Sequence, residues 1–216
     1  MTDQARGPKT LRGALVSVPQ GGSTSVISFQ YNPAGLKRTL QPQMVGGEEN
    51  DRSEAVRFTG APVQQIEVEI ELDASDQLEK GESLAVQSGI SPQLSALELL
   101  VYPDLNQVNQ NQSQIQSGVM EVAPLTSPNI LFVWGPNRVL PVRINSYTIS
   151  EEAFDGNLNP IRATVSLSMR VLNYSDLTSD NREYQQFMAY QQTMITLANK
   201  VLTGSTAGLG VSSSQF

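Results

Sequence analysis

Apolar and polar residues alternate strictly from Gln65 to Leu72. Ile66, Val68, Ile70 and Leu72 fall on one side, and Glu67, Glu69 and Glu71 on the other. A period of two over this length predicts a half-buried strand of an antiparallel sheet, with carboxylates toward water. The period returns in IRATVSLSMRVL, where Ala163, Val165, Leu167 and Met169 alternate with Thr164, Ser166 and Ser168. NILFVWG reads as a buried-type strand, and VLPVRINSYTISEEAF as another that turns at DGNLNP. Together these runs predict an antiparallel meander. Upstream, Leu11–Val18 and Thr24–Tyr31 flank Pro19-Gln20-Gly21-Gly22 and read as a hairpin. Its second run stops at Asn32-Pro33, because proline has no N–H for a ladder and holds the residue before it extended. Phe29 and Tyr31 share one face there, and one reading puts both in the core.

Two helices are predicted. Ser91 suits an N-cap and Pro92 the first helical position; Leu94, Leu97, Leu100 and Val101 form the apolar stripe, and Pro103 ends it. Asp180 with Glu183 resembles a capping box opening a helix that runs to about Leu202. In it Phe187, Tyr190, Met194, Leu197 and Val201 recur at alternating spacings of three and four, with Met188, Ile195 and Leu202 broadening a stripe expected to pack on the sheet. Residues 1–10 read as a loose arm and 204–216 as a Gly/Ser-rich tail. The polar stretch 35–60, broken by Gly46-Gly47, and the Asn/Gln/Ser-rich stretch 104–118 read as long loops. The organisation is therefore a β domain over 11–175, a C-terminal helix over 176–203, and flanking tails. The fold class is mainly β with flanking helices.

The chain has no Cys and no His, which removes disulfides, thiolate metal sites, Cys nucleophiles and histidine-based triads. No catalytic residue, metal site or cofactor is expected. The net charge of −7 and pI near 4.6 disfavour a nucleic-acid partner. No apolar run approaches the roughly 20 residues that span a bilayer, so no membrane partner is expected. MTDQARGPKT has no apolar signal region, which points to the cytoplasm.

Several motifs are weighed and set aside. Glu67, Glu69 and Glu71 are spaced as catalytic carboxylate pairs can be, but nothing converges on them and a solvated strand face suffices. Asp155, Asn157 and Asn159 echo a calcium loop without its Gly and terminal Glu. GSTAGLG lacks the strand and the Lys-Ser/Thr of a phosphate loop. Asn111-Gln-Ser113 and Asn173-Tyr-Ser175 fit the glycosylation pattern, which is idle in a chain without a secretory signal.

Two stretches carry a resemblance. One is Phe29-Gln30-Tyr31-Asn32-Pro33 followed by Leu36. The other is LFVWGPNRVLPVRINSYTISEEAFDGNLNPIRATVSLSM, marked by Phe132, Trp134-Gly135, Ile144, Ser146, Phe154-Asp155 and Pro160-Ile161-Arg162-Ala163. In order, over about residues 10–175, they resemble the tube-like baseplate adaptor proteins of contractile injection systems, particles that resemble phage tails. The resemblance implies a tail-tube fold, an antiparallel β-sandwich or small barrel with a side helix. It implies a ring, generally sixfold, between the trimeric spike hub and the inner tube protein, initiating the tube and meeting other baseplate components. Many relatives carry a LysM module; this chain has a helix and a tail in its place.

In such a ring one strand face lines the bore, which makes Glu67, Glu69 and Glu71 candidate lumen residues. Asn32, Pro33, Leu36, Lys37 and Arg38, where the chain leaves the sheet, and Phe187 and Met194 of the last helix are candidate interface residues. Two alternatives stand beside the adaptor: an inner-tube or tube-terminating protein of the same particle, and a small β-domain that binds a ligand or carbohydrate.

Overall fold

The computed structural model describes residues 10–18, 24–45, 57–118, 124–125 and 127–202. Seven strands form one antiparallel sheet: β1 (Ala14–Val18), β2 (Ser25–Ser28), β3 (Leu36–Gln41), β6 (Val63–Asp73), β7 (Asn129–Val133), β8 (Val139–Phe154) and β9 (Pro160–Val171). Their order is β2-β1-β7-β8-β9-β6-β3. A separate pair joins β4 (Met44–Val45) to β5 (Arg57–Phe58). The meander and the hairpin form as their patterns predict. The hairpin's turn at Pro19–Gly22 and the C-terminal tail lie outside the described residues, as does most of the N-terminal arm.

The sheet curls on itself. Gln30, just past edge strand β2, bonds the backbone of Asp73 at the end of β6, although four strands separate β2 from β6 in the sheet. Inside the curl lie Leu15, Phe29, Ile66, Ile70, Phe132, Leu140, Val165 and Met169, all essentially inaccessible to solvent. Tyr31, by contrast, is exposed: the chain leaves the ladder after β2, so the expectation that it shares the core with Phe29 does not hold.

The stretch 35–60 is not one long loop. Leu36–Gln41 is a strand, paired with β6 from Leu36↔Val68 to Gln41↔Val63. It is an edge strand, and its charged Lys37 and Arg38 hid it; natural edges carry such residues to discourage stray pairing.

Three short helices, α1 (Ser75–Glu79), α2 (Ser83–Ser88) and α3 (Ser91–Glu98), cover the curl. Helices α2 and α3 and the residues flanking α3 insert Ala85, Ile90, Leu94, Leu97 and Leu100 into the core. Ile90 holds the N-cap position of α3, so Ser91 and Pro92 lie in its first turn. Val101 is exposed and does not join the stripe.

Residues 104–118, expected to be a loop, contain α4 (Leu105–Gln116), capped by the Asp104 carboxylate, which accepts from the Asn106 N–H. The last helix, α5 (Arg182–Ala198), starts from Asn181, and no capping box forms at Asp180. Glu183, Phe187 and Tyr190 are buried against the body, but every residue from Met194 to Leu202 is exposed. Only the first half of the α5 stripe therefore packs on the parent domain. None of the described helices is long and apolar enough to cross a membrane.

Candidate functional site

The outer face of β3, β6, β9 and β8 is a field of polar rungs. The registers align Lys37, Glu67, Ser168 and Ser146 in one row, then Glu69, Ser166 and Thr148, then Glu71, Thr164 and Ser150. This arrangement follows from alternation, since residues directly opposite on paired strands share a face. On β8 it also depends on a bulge. Ile144 pairs with Met169 on the core side and Ser146 with Ser168 on the outer side, leaving Asn145 over. That extra residue turns Ser146, Thr148 and Ser150 outward and Tyr147 and Ile149 inward.

The rungs line an open groove of about 730 Å³ that includes Glu67, Glu69, Ser146 and Ser166. Lys37 Nζ sits 2.9 Å from Glu67 Oε2, in a pair exposed on both sides and so worth little to stability. Neither Glu69 nor Glu71 has an ion-pair partner among the described residues, so the middle of this face is acidic, while Arg143 and Arg170 stand on the row beyond Glu67. Apart from Lys37 each of these three rows is carboxylate and hydroxyl, which favours a hydrated wall over a sticky one.

At the end of β6, Asp73 accepts from the Ser75 N–H at 2.7 Å and from Arg162 Nε at 2.9 Å. The Ser75 hydrogen bonds, with the Arg162 guanidinium adding to them, hold its carboxyl below the usual range.

The segment after β2 borders the same face. Tyr31, Pro33 and Gly35 face Glu69 and Glu71 across a recess of about 350 Å³. Asn32 is a staple: its Oδ1 accepts from the Gly13 N–H at 2.9 Å and its Nδ2 donates to the Leu11 carbonyl at 2.7 Å. Arg38, on the core side of β3, donates from Nη2 to Tyr190 Oη at 3.0 Å. With the Gln64 amide turned oxygen-first, Arg38 Nε and Nη2 also donate to it at 3.1 Å. Phe187 packs between Tyr174 and Tyr190. Asn32, Arg38 and Phe187 thus make contacts within their own chain, Leu36 and Pro33 are half-buried, and Lys37 and Met194 are exposed.

The Asp155 turn is closed by its own side chains. Oδ1 accepts from the N–H groups of Asn157 and Asn159, and Oδ2 from Asn159 Nδ2. Among the described residues no group of three or more Asp and Glu side chains is placed to hold a metal ion. Sequence reading missed Gln30, whose role depends on a residue far along the chain, and Tyr147. The Tyr147 hydroxyl is buried without a hydrogen-bond partner, and burial, with the Glu98 charge adding, pushes its pKa up to about 12.

Residues 16–179 match the family described as contractile injection system tube protein. No curated protein matches. Similar solved chains include one from the tail of an empty gene transfer agent particle, computed with helical refinement and C6 symmetry. It is 11% identical, with 74% of this chain and 90% of that chain covered and a TM-score of 0.29. Another, from the virion of a native gene transfer agent particle, is 10% identical with the same coverage and TM-score. Scores this low carry no argument. The family match does: it spans well over half of the sequence and reaches from β1 through β9. The chain belongs to the contractile injection system tube protein family, a family of structural tail components.

Proposed function

We propose that the protein assembles with copies of itself into a sixfold ring that joins the spike hub to the inner tube protein and starts tube assembly. The observation that carries this reading is the run of three carboxylate and hydroxyl rungs, from Glu67 to Glu71, on one face of a sheet whose other face is largely apolar. Turned toward a bore, Glu67, Glu69 and Glu71 repeat around a wet conduit. The sheet supplies two edges, β2 and β3, for head-to-tail contact; such heterologous contacts close into rings when the rotation fits. Assembly takes place in the bacterial cytoplasm, and the acidic face disfavours nucleic acid as a structural partner.

An inner-tube subunit is the second reading. The adaptor is favoured by α5, which lies beyond the matched residues 16–179 yet is locked to the body through Tyr190 and Phe187. It gives the ring a contact that stacking identical rings does not require. A carbohydrate module fits less well, because Trp134 is half-buried and stacked on core residue Phe132 with centroids 5.9 Å apart.

Copy number separates the readings. Quantitative mass spectrometry of purified particles is expected to find one ring's worth of this chain for each spike hub. Many rings' worth would make it a tube subunit, and absence from particles would sink both. An image of the particle with Glu67, Glu69 and Glu71 on the outer wall would overturn the lumen assignment.

A further inference from the structure

From Met194 on, α5 projects as an apolar arm that no described residue covers. From Met194 every described residue is exposed, and Met194, Leu197 and Val201 continue the seam that Phe187 and Tyr190 begin inside the body. The helix is extended past Ala198 by a further turn, with Val201 and Leu202 N–H groups both bonded to the Ala198 carbonyl. At 1.5 Å per residue the arm from Met194 to Leu202 reaches about 13 Å.

A second helix of the same chain is also short of cover. No side chain of α4 is buried; Leu105 and Ile115 are exposed, and Val108, on the same stripe, is half-buried. A twelve-residue helix with no fully buried side chain is marginal in water.

Charge makes the two surfaces compatible. The chain carries −7 overall, so copies repel one another on average. Residues 105–116 and 184–199 contain no Asp, Glu, Lys or Arg. Their polar positions are mainly Asn, Gln, Ser and Thr, which tolerate one another across a helix pair without repulsion. The α5 stripe follows the three-and-four spacing that lets ridges of one helix enter grooves of another, and Leu105, Val108 and Ile115 of α4, three and seven apart, lie along one side of their helix.

We propose that the α5 arm of one copy packs on α4 of a neighbouring copy, clamping adjacent subunits outside the sheet. The inference rests on the ring reading above and names the contact that fastens it. The contact is heterologous, because α4 and α5 are different surfaces, and so it propagates around a ring. It is too small to hold two free chains, since stable interfaces need about 1,000 Å² or more. It acts once copies are already side by side, where their effective concentration is high.

The absence of cysteine makes the test direct. Two single variants are co-expressed in the full chain within assembling particles, one at α4 (Leu105→Cys or Ile115→Cys) and one at α5 (Met194→Cys or Val201→Cys). All four positions are surface positions that leave the core intact. Under mild oxidation, the expected result is a shift from monomer to dimer for one pairing direction in the mixture and no shift for either variant alone. Dimers of a single α5 variant alone would mean that the arm pairs with itself, and would overturn the proposal. Imaged rings with no dimer in any of the four mixtures would also overturn it, leaving the ring intact and the arm on a different tail component. Particles that contain the chain but no ring of it would overturn the ring reading, and this contact with it.

Discussion

The side-chain amide of Gln30 bonds both backbone groups of Asp73: Nε2 donates to the carbonyl at 2.5 Å and Oε1 accepts from the N–H at 3.0 Å. One side chain thereby does the work of a strand pair at the place where the curled sheet meets itself. Two residues on, Asn32 does the same for the start of β1 through Leu11 and Gly13. Each side chain satisfies backbone groups that would otherwise face one another unpaired.

Gln30→Ala and Asn32→Ala are each expected to lower stability by about 1–3 kcal/mol, the cost of leaving such groups without partners. Denaturant unfolding followed by circular dichroism measures both. Losses within experimental error for both variants would show that the curl is held by the core alone.

The features legible in the sequence are those in which one face meets the core and the other meets water. Ile66 to Leu72 and Ala163 to Met169 announce themselves because burial imposes the alternation. Strand β3 does not, because Arg38 stands in its inward row and its partner Tyr190 comes 152 residues later. Helix α4 is hidden by composition: Asn, Gln and Ser fit a loop as well as an unburied helix. The α5 stripe shows which residues share a face, but not that Met194 and Val201 lie past the edge of the body. The outward face of β6 could be read directly, whereas the matching Ser and Thr rungs of β8 depend on a bulge with no local signature.

Acid is expected to act through Asp73. Its folded-state pKa lies below the ordinary value of 3.8, so its contribution is fully present above that value and is lost as pH falls through the lower folded pKa. Asp73→Asn should lower stability at neutral pH and flatten the dependence below about pH 4. Unfolding midpoints measured along an acid series check this; parallel curves for the two proteins would refute it.

Gly89 and Gly81 separate steric from conformational cost. Both have positive φ, +55° and +66°. A Cβ on Gly89 would lie 2.0 Å from the Pro160 carbonyl oxygen, which already accepts the Ile90 N–H, whereas one on Gly81 meets nothing within 4 Å. Gly81→Ala is expected to cost about 1 kcal/mol, and Gly89→Ala about 3 kcal/mol or more. Equal thermal shifts for the two would contradict the tight approach of the α2–α3 turn to β9.

Tyr147→Phe removes a buried hydroxyl that has no partner, so stability should hold or rise by up to about 1 kcal/mol. Alkali gives a second readout. With the folded pKa raised from 10.0 to about 12, the stabilising difference is complete below pH 10 and is lost as pH rises through about 12. Phe at this position should remove that part of the alkaline decline, which unfolding curves between those pH values would reveal.

The bulge at Asn145 also determines where β8 can change length. Deleting Asn145 would join Ile144, which faces in, directly to Ser146, which faces out, and this is ordinary alternation. Every later side chain would keep its side of the sheet. Deleting Thr148 instead would bring two inward residues, Tyr147 and Ile149, together and force the remaining rungs to the wrong face. From Ala163 to Met169, β9 has no such slack, because each residue is matched in turn to β6. Single-residue insertions and deletions among relatives should therefore collect at Asn145 and at the second irregularity around Glu152, leaving the polar rungs between them in phase while the strand around them drifts in sequence.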